Sequence, residues 1–106
     1  MANFCRTFDG AVAPTPAQMI VGPIQGLRAA ASSWSVVKVS GTGTVGSYSY
    51  QVSNDGVKYT EVESKSAEGN FPETSGALFH QVVLKTLPQS GTVVRVCIYA
   101  ATVDDG

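Results

Sequence analysis

The chain has 106 residues, seven basic and eight acidic side chains, one histidine and a net charge of −1. That length fits a single domain. The near-neutral balance, with no block of like charge, excludes a nucleic-acid stripe and a basic membrane patch.

The N-terminal stretch Met1-Ala2-Asn3-Phe4-Cys5-Arg6 lacks the basic segment and apolar core of a secretory leader. No run approaches the ~18 apolar residues of a membrane helix. Synthesis and use from a cytosol is therefore expected. Cys5 and Cys97 then read as reduced thiols, with a bond between the N-terminal segment and the last strand as the weaker alternative.

Residues 1–16 carry no packing pattern. Phe4 and Phe8 stand apart among polar residues, Asp9-Gly10 makes a turn, and Pro14 and Pro16 hold the backbone extended around Thr15. The segment reads either as a frayed terminus or as an extended arm that anchors on a neighbouring subunit through Phe4 and Phe8. The arm is placed at residues 1–16 and the folded domain at 17–106. Met19-Ile20-Val21 is a short apolar run stopped by Gly22-Pro23, and Pro23 argues for an edge strand or a bend between sheets. Residues 29–33 read as a loop or a single helical turn.

Trp34 to Ser40 is a predicted strand whose alternation shifts between Val36 and Val37. Trp34 at its start reads as core or core rim, or as a ligand platform. The glycine-rich Gly41-Thr42-Gly43-Thr44 lacks the lysine and the following helix of a phosphate loop. From Gly46 to Ser53, Tyr48, Tyr50 and Val52 share one face, and Ser47, Ser49, Gln51 and Ser53 the other. Asn54-Asp55-Gly56 then reverses the chain, and Val57, Tyr59 and Val62 continue in a return strand with a bulge or strand end near Thr60.

Residues 64–76 read as a long exposed loop, in which Phe71-Pro72 either folds back as a plug or contacts a partner. Ala77 to Lys85 is a strand with Leu78, His80, Val82 and Leu84 on one face. His80 has no companion at metal-ligand spacing and reads as a hydrogen-bonded core or interface histidine. Thr92 to Ala101 is the last strand, with Val94, Val96, Ile98 and Ala100 inward and Val93, Arg95, Cys97 and Tyr99 outward. Asp104-Asp105 near the terminus lacks the spacing of a calcium loop and reads as a solvated tail.

Six or seven short strands without a convincing helix give an all-β fold, a small antiparallel β-sandwich or jelly-roll-like domain with an extended N-terminal arm. No nucleophile–base pair, acidic pair at fixed spacing or metal cluster is discernible, so no enzyme activity and no cofactor are expected. Arg95, Tyr99 and the edge near Pro23 mark places where another chain can dock.

Three stretches occur in order: Trp34 to Gly43, Tyr50 to Tyr59, and Val93 to Ile98. Together they resemble small β-sandwich structural proteins of tailed bacteriophages, which carry a strand, a Gly-rich connection, a Gln-x-Ser-x-Asp-Gly-x-x-[Trp/Tyr] hairpin and a closing Arg-aliphatic strand. Here the hairpin aromatic is Tyr59 rather than the more frequent Trp. The resemblance spans residues 27–101 and implies a capsid decoration, or cement, protein bound to the major capsid protein on the virion surface and assembled in the bacterial cytoplasm. It also implies self-association as a trimer or another small homo-oligomer. The expected contacts are Phe4, Arg6, Phe8, Ile20 and Ile24, with the arm removable without unfolding the sandwich. The competing expectation is a head-fibre, neck or tail-tip module that stacks host glycans on Trp34, Tyr48 or Phe71.

Overall fold

The computed structural model describes residues 2–26, 32–73 and 76–101. Eight strands follow in chain order: β1 (Ala2–Asp9), β2 (Ile20–Gln25), β3 (Ser32–Ser40), β4 (Ser47–Ser53), β5 (Thr60–Lys65), β6 (Gly69–Glu73), β7 (Phe79–Thr86) and β8 (Val93–Ala100). They form two four-stranded antiparallel sheets, in the orders β1-β8-β3-β6 and β2-β7-β4-β5. The ladders nest: β1 pairs with β8, β2 with β7, β3 with β6 and β4 with β5. A long hairpin folded across two sheets in this way is a jelly roll, closed by the β3–β8 and β4–β7 pairs.

The period-2 pattern explains which side chains meet inside. Val94, Val96, Ile98 and Ala100 of β8 lie beside Trp34 and Val36 of β3, and all six are buried. Tyr48 and Tyr50 of β4 and Val82 and Leu84 of β7 face them from the second sheet, in one continuous core with Phe8, Val21 and Ile24. Burying a large apolar side chain stabilises by roughly 1.5–3 kcal/mol relative to exposure. Trp34 and Tyr50 stack across the interior at 6.1 Å between ring centroids. Tyr48 keeps its hydroxyl satisfied by donating to the Val45 carbonyl at 2.6 Å.

Two segments expected to be irregular are strands. The supposed arm is β1, hydrogen-bonded along β8 from Ala2↔Ala100 to Asp9↔Val93, with Phe8 buried in the core. Its pairing partner lies some ninety residues away, so no local pattern announces it. Residues 64–76 include the end of β5 and all of β6, which crosses to the other sheet and pairs with β3. Phe71 folds back as a plug, its ring 4.7 Å from that of Trp34.

The cysteines are also corrected. Cys5 and Cys97 face each other in the β1–β8 register and are joined in a disulfide. Smaller differences concern irregularities. The β3 alternation continues through Val37, and its register shift falls between Lys38 and Ser40. The reversal after β4 takes residues 54–59, so exposed Val57 lies outside the return strand, while Val62 is the extra residue of a bulge opposite Tyr50 and Gln51. Pro23 sits, as expected, in an edge strand, after a cis Gly22-Pro23 bond. Thr15 caps a short 3₁₀ turn at Pro16–Met19 through a reciprocal box with Gln18. Residues 27–31 and 102–106, covering most of the expected helical turn and the acidic tail, lie outside the described residues.

Candidate interaction surfaces and a carboxyl pair on the Trp34 indole

The residues expected to contact a partner divide into two groups. Phe8 and Ile24 are core, 3% and 8% exposed, and have no surface to offer. Phe4, Arg6 and Ile20 remain near the surface where β1 passes β2. The Arg6 side chain donates from Nε to the Ile20 carbonyl at 3.1 Å, and its guanidinium lies 5.2 Å from the Phe4 ring centroid. A groove of about 280 Å³ runs beside them, lined in part by Arg6, Thr7, Phe8, Val12 and Pro14. Val12 on its rim is exposed.

The outer face of the β1-β8-β3-β6 sheet follows from the opposite parity. The register sets Thr7, Arg95 and Val37 in one row, and Asp9 beside Val93 in the next. Val37 is 51% and Val39 60% exposed, so the end of β3 carries an apolar strip beside the Arg95 cation. Arg95 Nη2 reaches Cys5 Sγ at 3.5 Å, which places the disulfide on this same face. The sequence reading identified Arg95 and Tyr99 on this face. It missed Val37 and Val39, because their outward direction depends on where the β3 bulge falls.

The four sheet edges are not equivalent. Strands at an edge present unpaired backbone groups, and proteins guard them with proline, charge or brevity. β2 carries Pro23, β6 has five residues including Pro72, and β5 carries Glu61, Glu63 and Lys65. β1 has eight residues, no proline, one cation drawn over toward β2, and its one carboxylate, Asp9, at its last position.

Inside, the fold assembles a polar site that no sequence spacing announces. Trp34 Nε1 donates to Glu73 Oε2 at 2.9 Å and to Glu63 Oε1 at 3.3 Å. Glu63 comes from β5, opposite Tyr50, and Glu73 from the end of β6, opposite Ser32. One indole N–H thus meets a carboxyl group from each sheet. Glu73 is 8% exposed. Burial, and then a hydrogen bond to Glu63, push its carboxyl up to about 7, against the opposing pull of Trp34. Lys65 pairs with Glu63 at 3.7 Å and lies 5.2 Å from the Phe71 ring centroid.

A second chain of polar groups runs alongside. Ser32 Oγ is 3.1 Å from Tyr50 Oη, which is 2.7 Å from His80 Nδ1. Burial lowers the His80 pKa and favours the neutral ring. His80 is therefore the hydrogen-bonded core histidine that its isolation in sequence suggests. The surface grooves beside Arg6 and beside Asp55 are not lined by Glu63, Glu73 or His80. These groups bind one another across the sandwich, an arrangement suited to holding the sheets in register. Comparison with protein-family models, curated proteins and solved structures finds no match for the chain.

Proposed function

We propose that this chain is a capsid decoration protein that binds the outer surface of a bacteriophage major capsid lattice and stabilises the head against the pressure of packaged DNA. The observation that carries the reading is the exposed Val37–Val39 strip beside Arg95 on the outer face of a jelly roll whose first strand is stapled to its last. A rigid face with an apolar strip and a flanking cation suits docking on a protein shell, where burial supplies affinity and charge sets register. Many copies, each binding modestly, resist expansion together. A disulfide on that face fits a particle surface, an oxidising setting once the host has lysed. The sandwich itself replaces the arm as the binding element, because β1 is part of the sheet.

The glycan-binding alternative loses its platform. Trp34 and Tyr48 are fully buried, and Phe71 packs against Trp34. A test of the docking face is the double substitution Val37→Lys and Val39→Lys, which removes exposed apolar surface and leaves the core untouched. Binding to heads stripped of the protein is expected to weaken by about tenfold or more. Unchanged binding would exclude this face.

A further inference from the structure

We infer that two copies of this chain pair through their β1 edges, antiparallel about a two-fold axis at Cys5, and join their outer sheets into one eight-stranded surface. The inference stands apart from the capsid reading and concerns the purified chain.

It starts from which backbone groups β1 leaves free. In an antiparallel ladder, closely approaching opposite residues turn their N–H and C=O away from each other, and the alternate residues bond across. Cys5 and Cys97 are opposite, with Cα atoms 4.0 Å apart, the close kind of pair. Gly10, on the even parity, donates inward to the Thr92 carbonyl at 3.0 Å, in agreement. The odd residues Asn3, Cys5 and Thr7 therefore point both backbone groups outward along the free edge. Asn3 and Thr7 are exposed.

Those groups suit a second copy because one register complements itself. With the axis at Cys5, Asn3 of one chain exchanges backbone bonds with Thr7 of the other, and the two Cys5 residues exchange theirs. Phe4 then stands opposite Arg6 of the second copy in the close, non-bonded position. Arg6 already sits against its own Phe4 ring, so each guanidinium lies between two aromatic faces. The neighbouring register, with its axis at Arg6, sets two guanidinium groups opposite each other. It also calls on the Asp9 carbonyl, which already accepts from the Val12 N–H at 3.0 Å. The other three edges carry the prolines and charges described above. A two-fold axis normal to the sheet keeps both outer faces on one side, so the pair presents two Val37–Val39 strips together.

The test is sedimentation of the full chain across the micromolar range, with amide exchange read by NMR. The wild type is expected to be a dimer with slow exchange at Asn3, Cys5 and Thr7. The double variant Asn3→Asp/Thr7→Asp sets like charges opposite across the axis. It is expected to weaken the dimer by about tenfold or more. The variant Asn3→Lys/Thr7→Asp keeps the same Thr7 change beside Arg95 but sets opposite charges across the axis, and is expected to restore the dimer. A monomeric wild type, a trimer, or a dimer with fast exchange at those three amides would overturn the proposal. So would a dimer indifferent to both variants.

Discussion

At the scale of single residues, the most consequential group is Glu73. A carboxyl buried beside a second carboxyl is kept protonated by desolvation and by its bond to Glu63. In the unfolded chain it ionises near the ordinary value of 4.5, and in the fold only near 7. The folded state therefore holds more protons between those limits. Its contribution is fully present below about 4.5 and is lost as pH rises through about 7. The loss across those limits is on the order of 3 kcal/mol. Glu73→Gln supplies a neutral side chain of similar shape that keeps an acceptor for Trp34. Relative to the wild type, this variant is expected to gain melting temperature as pH rises across that window, and to melt higher at pH 8. Neutral, buried His80 contributes the opposite slope in this window and is common to both proteins, so the test is the difference between them. A gap in melting temperature between wild type and Glu73→Gln that does not change between pH 5 and 7 would contradict this account of the pair. Nothing in the sequence pointed to Glu73, because its neighbours Gly69, Asn70 and Pro72 have weak strand preference. Pairing of β6 with the β3 edge is what brings it to Trp34 and to Glu63 of the other sheet. By contrast, alternation alone puts Val94, Val96 and Ile98 inside and sets Tyr48 and Tyr50 on one face, and all five are buried.

At the scale of elements, β1 and the hairpin differ in how they are specified. The β4–β5 reversal is local. Asp55 Oδ1 accepts from the Val57 and Lys58 N–H groups at 2.8 and 3.0 Å and from the Ser53 hydroxyl at 2.8 Å. The bonds from the Lys58 and Val57 amides, then from Ser53, hold the carboxyl down at about 2. Gly56 follows at φ +77°, a left-handed conformation that costs glycine little. Asn-Asp-Gly was legible for that reason. Asp55→Ala is expected to speed amide exchange at Val57 and Lys58 while leaving the β4–β7 ladder protected, and equal protection at both amides would contradict the turn's dependence on Asp55. β1 is specified from far away, by β8 and by a disulfide spanning 92 residues of chain. Closing so long a loop removes much unfolded-state freedom, and such bonds typically contribute about 2–4 kcal/mol. Cys5→Ser/Cys97→Ser is expected to lower the unfolding free energy by that amount, read as a lower denaturant midpoint, and an unchanged midpoint at unchanged slope would mean the bond adds nothing. Deleting residues 2–16 removes an edge strand, the disulfide and buried Phe8 together. A cooperative melt by that truncation would show that β1 is dispensable after all.

At the scale of the whole molecule, the all-β class was readable from strand spacing and turn residues, while the strand order was not. The pairs that make a jelly roll are mostly nonlocal: β1 with β8, β2 with β7 and β3 with β6. Their sequence separation hides them from any window-based pattern. The contact surface was partly hidden for the same reason. Phe8 reads as an anchor of the arm and Ile24 as a contact residue when only the sequence is considered, and both lie in the core of the sandwich. What the molecule then offers a partner is a stapled sandwich with one apolar strip on its outer face. The central claim is that this surface serves a capsid lattice, and co-sedimentation of the chain with phage heads stripped of it tests that claim most directly. The account predicts saturable binding at the repeating sites of the shell and a higher disruption temperature for the decorated head. Binding confined to a single vertex, or binding that leaves the disruption temperature unchanged, would contradict it.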